Sequence, residues 1–136
     1  MPRFILDTNI LLDLFVFDDA HVHPLHLALK NQQIEAIASP KTLLELADVI
    51  SRSQFQLTKD QQAIILQEWQ NWARIVDDEA LGKAPWKCKD RDDQIFINLA
   101  YAYKPAVLIS KDLEILKLAK RAEKEGVLIC PEFTGS

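Results

Sequence analysis

A layered α/β fold, in which a central and mainly parallel sheet is sandwiched between helices, is what three features of this sequence predict. Five short apolar runs recur along the chain: FIL at 4–6, AIA at 36–38, RIV at 74–76, AVLI at 106–109 and VLI at 127–129. Their length suits buried strands. The longer stretches between them carry apolar residues at helical spacing, and this alternation is the signature of βαβ units. Finally, 49% of the 136 residues are hydrophobic, enough to build one core without disulfide staples, so a single domain over residues 1–136 is expected.

The elements follow in order. The first strand runs directly into Asp7, Thr8 and Asn9, residue types that start helices by accepting backbone N–H bonds. In HVHPLH, Pro24 suits a helix start. After the second strand, Ser39 stands as N-cap with Pro40 at the first helical position, and Leu43, Leu46, Ala47 and Ile50 form one stripe. Thr58 caps the next helix, whose packing anchors are Leu66, Trp69 and Trp72. From Asp77 to Asp90, Gly82, Pro85 and many charges mark a loop. A helix starting near Asp92 precedes the fourth strand. Ser110, Lys111 and Asp112 then lead into a helix carrying Leu113, Leu116 and Ala119 or Lys120 before the last strand.

Composition narrows the class. Twenty acidic against sixteen basic residues leave a net charge of −4, which argues against non-specific coating of nucleic acid or anionic membrane. Asp7 and Asp13 interrupt the first apolar run, so neither a signal peptide nor a membrane span is expected, and a cytoplasmic location follows. Cys88 and Cys130 are far apart and fit neither a metal nor a redox spacing, so they read as reduced thiols.

Four acidic residues stand out, each with an ordinary alternative. Asp7 and Asp112 follow predicted strands, where a carboxylate often merely caps the next helix. In open parallel sheets, however, ligands bind beyond the carboxyl ends of strands. Asp93 projects on the same face as Phe96, Ile97 and Ala100, which lie three, four and seven residues on. A carboxylate heading a buried face needs a partner or must cap its own helix. Glu45 lies roughly opposite the centre of its helix's apolar stripe, at ~100° per residue, so periodicity alone makes it solvent-facing. His21, His23 and His26 show no evident fourth ligand and read as polar surface side chains.

Together FILDTNILL, SPKTLLELADVI, CKDRDDQIFINLA and LISKDLEIL resemble, in order and spacing, the PIN domain family, from Arg3 to about Phe133. The similarity is greatest to the compact bacterial PIN proteins described as toxins of toxin–antitoxin pairs. It implies a PIN-like, Rossmannoid three-layer α/β/α sandwich and places the family's acidic cluster on Asp7, Glu45, Asp93 and Asp112, with Thr8, Asn9 and Ser110 as supporting polar residues. The fourth motif more often reads T-G-D, so Ser110 and Lys111 depart mildly from it, and Glu114 stands where a second Asp is common.

Four clustered carboxylates repel one another and invite a divalent cation. With no His or Cys among them, one or two Mg²⁺ or Mn²⁺ ions suit the donors better than zinc. Such ions acidify water and neutralise charge on a phosphodiester, and the resemblance implies hydrolysis of single-stranded RNA. For substrate grip, Lys83, Lys87, Lys89 and Arg91 surround Trp86, a composition that fits backbone contacts with a stacked base. Alternatively the segment is a charged loop anchored by Trp86. Lys117, Lys120, Arg121 and Lys124 read as an exposed helix face. The resemblance further implies a cognate antitoxin and a homodimer, with AIILQEWQNW as a source of apolar contact. A catalytically silent PIN-like module binding RNA or a partner, and a housekeeping RNA-processing nuclease, are the alternatives. A haloacid-dehalogenase-type phosphotransferase wants an acid where Asn9 stands, and a receiver domain wants an acidic pair after the first strand.

Overall fold

The computed structural model describes residues 1–134; Gly135 and Ser136, included in the single-domain expectation, lie outside the described residues. Strands β1 (Arg3–Leu6), β2 (Glu35–Ala38), β3 (Ala73–Ile75), β4 (Ala106–Ile109) and β5 (Val127–Cys130) form one sheet in the order β3-β2-β1-β4-β5. Every pairing is parallel. The expected runs are all strands, with β3 displaced by one residue from RIV so that Val76 closes it by donating its N–H to Ala38 O.

The three central strands, β1, β2 and β4, are covered on both faces, which is why they read as continuous apolar runs, whereas the edge strands β3 and β5 expose Ile75 and Leu128. Phe4 and Leu6 point into one core and Ile5 into the other. The first core takes apolar residues from α1 (Thr8–Leu12), α2 (His23–Lys30), α3 (Pro40–Ile50) and α4 (Lys59–Trp72). The opposite core takes them from α5 (Gln94–Ala102), α6 (Leu113–Leu116) and α7 (Ala119–Glu123), together with Trp86. The helix expected after Asp112 is therefore two short ones. None of the helices among the described residues is long and apolar enough to cross a membrane.

Local chemistry explains the helix starts. Thr42 Oγ1 accepts from Ser39 N–H at 2.9 Å at the head of α3. Thr58 and Gln61 exchange side-chain and backbone bonds at the head of α4, the reciprocal box that satisfies two orphan donors. In α4, Trp69 is fully buried, whereas Leu66 and Trp72 are half-buried against the core. One feature escapes periodicity: α1 passes into a π-helical turn over Asp13–Phe17, ending at Asp18 with φ 48°. This turn buries Asp13.

The topology locates a crevice. From β1 the chain builds outward to β2 and β3, then returns to β4 on the other side of β1. The boundary between β1 and β4 is thus the point where winding reverses, and the crevice beyond the strand ends opens there.

Candidate active site

The register of β1 and β4 pairs Leu6 with Ile109, so the next residues, Asp7 and Ser110, emerge side by side. Asp7 N–H donates to Ile109 O at 3.2 Å, extending the ladder by one bond. Asp7 is buried, at 4% exposure. Its Oδ1 accepts from Ile10 N–H at 3.0 Å, capping α1, while Oδ2 accepts from the Ser110 hydroxyl. Ser110 Oγ in turn accepts from Asp112 N–H at 3.0 Å, and Asp112 Oδ1 caps α6 by accepting from Glu114 N–H at 2.8 Å. The capping role of Asp7 and Asp112 is real, and it orients rather than excludes them, since each carboxylate also faces a shared cavity.

That cavity, of about 290 Å³, is lined by Asp7, Thr8, Asn9, Glu45, Asp93 and Asp112, with Leu12, Val49, Arg52, Gln54 and Phe55 completing its walls. Asp93 occupies the N-cap position of α5 but makes no capping bond. The preceding 3₁₀ turn, Arg91–Asp93, is capped by Asp90 instead, which leaves the Asp93 carboxylate without a local structural task. Glu45 is half-buried. The apolar stripe of α3 packs on the sheet core, and the flank carrying Glu45 is covered by α5 and α1, so a residue that periodicity turns to solvent is turned into a cleft.

Electrostatics are strained. Burial pushes the Asp7 carboxyl up, against the lowering effect of the Ser110 and Ile10 bonds. Burial also raises Glu45, assisted by the charges of Asp92, Asp7 and Asp90. The Thr8 hydroxyl opposes that rise, although it is buried and meets no partner at hydrogen-bonding geometry. Asp93 is pushed up to about 7, by burial first, then by the adjacent Asp112 carboxylate, with Asp90 and Glu45 adding. Among the described residues, no Lys, Arg or His forms an ion pair with any of the four.

The other expected site residues divide. Thr8 and Asn9 line the acidic cavity, and Ser110 donates to Asp7. Lys87, Lys89 and Arg91 are exposed, while Trp86 is 5% exposed with its ring edge-on to Tyr101 at 5.4 Å. Its face is closed to an incoming base, which corrects the stacking role: Trp86 anchors the loop. The aromatic that does line the acidic cavity is Phe55, packed against the exposed Phe17 at 6.0 Å. Arg52 and Phe55 were missed from sequence: both lie past the end of α3, in the turn that follows it, where helical periodicity carries no signal.

Asp13 was missed as well. Its Oδ2 accepts from Lys111 Nζ at 2.5 Å and lies 3.3 Å from His21 Nε2. Lys111 therefore turns away from the acidic cavity, and Glu114 pairs with Lys117 at 2.9 Å. Among the described residues, Asp13, Asp19 and His21 are the trio of potential ligands whose donor atoms lie within 4.8 Å of one another. Lys111 already neutralises its central carboxylate. Because Asp13 is buried and Lys111 is 45% exposed, Lys111→Met should cost about 1–2 kcal/mol by stranding a buried charge, and Asp13→Asn less. Urea unfolding of the two variants checks the order; the reverse order would show that the pair is not what neutralises Asp13.

The fold and site define an α/β domain whose strand-end crevice gathers four carboxylates, none of which forms an ion pair among the described residues. The model of the PIN domain matches residues 3–114, and the chain belongs to the PIN domain family, a family of nucleases. No curated protein matches it in sequence. Among solved structures it is similar to a chain of VapBC2 from Rickettsia felis bound to a DNA fragment from their promoter. The TM-score is 0.63 at 19% identity, over 93% of this chain and 96% of that one, a likeness of fold.

Proposed function

We propose that this chain is a divalent-metal-dependent endoribonuclease that hydrolyses single-stranded RNA, acting as the toxin of a toxin–antitoxin pair. The observation that carries the reading is the cavity shared by Asp7, Glu45, Asp93 and Asp112, in which three carboxyls are raised and none of the four meets an internal cation. Such a pocket is unfavourable as it stands and is relieved by a hard cation. The donor set fits Mg²⁺ or Mn²⁺: oxygen ligands alone, with room for retained waters. When bound, the ion supplies charge neutralisation on the phosphate and a more acidic water.

The chain's own residues divide the remaining work. Asp7, held by Ile10 and Ser110, offers a rigid carboxylate at the crevice floor. Asp93 gives up its proton when the site fills, since nothing else holds its charge. Asp112, its Oδ1 held by Glu114 N–H, lines the same cavity. Glu45 can accept a proton from the attacking water as its oxygen bonds to phosphorus and the bond to the leaving oxygen breaks, that oxygen taking up a proton from solvent. Phe55 and Arg52 border the cavity where an unpaired base and its phosphate would lie.

The toxin setting rests on the resemblance to compact bacterial PIN proteins and on the likeness to the VapBC2 assembly. It supplies the further proposals of a cognate antitoxin, a homodimer and a cytoplasmic site of action. Purified protein is expected to cut single-stranded RNA with added Mn²⁺ or Mg²⁺ and to stop on adding EDTA, with activity returning when the ion is restored. Cleavage that persists in EDTA would reject the metal mechanism.

A further inference from the structure

We infer that a second phosphate-binding site lies outside the acidic cavity, in the pocket where Lys83, Lys87 and Arg91 converge between the 81–90 loop and α5, and that it holds the backbone of the RNA strand beside the scissile bond. Its function as an RNA subsite rests on the nuclease reading; its existence as an anion site does not. The pocket measures about 340 Å³, and its lining contains three cations and no carboxylate. Among the described residues none of the three forms an ion pair. In a chain of net charge −4, three unpaired like charges around one pocket are mutually repulsive and are relieved by an anion.

The pocket is also built in advance. Gln94 Oε1 accepts from Cys88 N–H at 2.7 Å, and Gln94 Nε2 donates to Trp86 O at 3.0 Å and to Asn98 Oδ1 at 3.1 Å. Asn98 Oδ1 also accepts from Ala84 N–H at 2.9 Å. With Trp86 buried beneath it, the loop backbone is clamped to α5, so binding orders the lysine side chains but not the loop that carries them.

Position identifies the ligand as a chain and not an isolated phosphate. Arg91, Gln94 and Asn98 also line an adjoining groove of about 500 Å³ of mixed charge, which includes Lys41, Glu45, Asp92 and the Arg52–Asp48 ion pair. Glu45 and Arg52 in turn line the acidic cavity. Through these shared residues the three hollows adjoin one after another, the cationic one at the far end and the acidic one at the reaction centre. A single strand lying along it would set one phosphate against the acids and another against the lysines.

The test compares Lys83→Gln/Lys87→Gln with Lys120→Gln/Lys124→Gln, which removes the same charge from an exposed helix. Binding of a fluorescent single-stranded RNA dodecamer is followed by anisotropy in EDTA at several salt concentrations. Loss of two phosphate contacts is expected to weaken binding roughly tenfold near ~100 mM salt and to flatten the slope of log Kd against log salt by about 1.4. The control pair should match the wild type. Equal constants and slopes in both double variants, or no RNA binding by the wild type, overturn the inference. RNA cleavage with Mn²⁺ alongside such equal constants would leave the nuclease reading standing, whereas lysine-dependent binding by a protein that cuts nothing would support the subsite and remove that reading.

Discussion

Asp93→Asn should abolish Mn²⁺-dependent RNA cleavage, with a loss of about 10²–10⁴-fold, and leave the metal-free protein at least as stable as the wild type. Both halves follow from one geometry. The Asp93 side chain caps nothing and pairs with no cation, yet it sits half-buried in the shared cavity beside Asp112. Asn keeps the shape and removes a charge that burial and neighbouring carboxylates oppose, so folding loses no contact while the cation loses a ligand. Asp7→Asn should silence the enzyme equally but cost about 1 kcal/mol: Asn still caps α1 through Oδ1, but its NH2 in place of Oδ2 cannot accept the Ser110 hydroxyl. Cleavage assays paired with thermal melts separate the two. A variant that melts normally and cuts RNA at the wild-type rate would place the chemistry elsewhere.

Metal binding should raise the melting temperature far more at pH 8 than at pH 5. Asp93 is lifted from an ordinary 3.8 to about 7, and Asp7 and Glu45 are lifted as well. A group whose folded pKa exceeds its unfolded value contributes stability that is fully present below the unfolded pKa and lost as pH rises through the folded one. The metal-free protein is therefore expected to weaken from about pH 4 to about 7 on account of this cluster. A divalent cation must displace those protons at low pH but finds the carboxylates already charged at pH 8. At a hundred times its Kd the ion stabilises by about 2.7 kcal/mol, roughly 8–12 °C for a domain of this size. Melting curves with and without Mn²⁺ at the two pH values measure it. An equal or larger shift at pH 5 would mean that the cluster does not bind the ion as carboxylates.

The Asp93 helix shows how far the sequence can be read. Its apolar residues at three-, four- and seven-residue spacing mark Phe96, Ile97 and Ala100 as core, and all three are buried. The same spacing puts Asp93 at the head of that face. Whether it caps the helix or serves a site depends on the preceding turn, where Asp90 takes the capping task. Glu45 is the harder case. Helical periodicity reports only the direction of the main core, and the second wall, made by α5, comes from residues about fifty positions later. Trp86 illustrates the opposite error: its basic neighbours suggest a binding surface, but Gln94 and Asn98 clamp the loop so that the indole turns inward and the lysines outward.

What the sequence by itself determined was the set of local pieces: five short apolar strands, the helix starts at Ser39 and Thr58, and the order of the four acidic motifs. These follow from water avoidance and backbone hydrogen bonding within a few residues, which any short window of sequence displays. Only the tertiary structure decided that Leu6 and Ile109 share a register, so that Asp7 meets Ser110 from 103 positions away. It alone paired Lys111 with Asp13 across 98 positions, so that among the described residues none of the four cleft carboxylates has an ion-pair partner. Charge–charge energies depend on distance and burial, and neither is a property of a single segment.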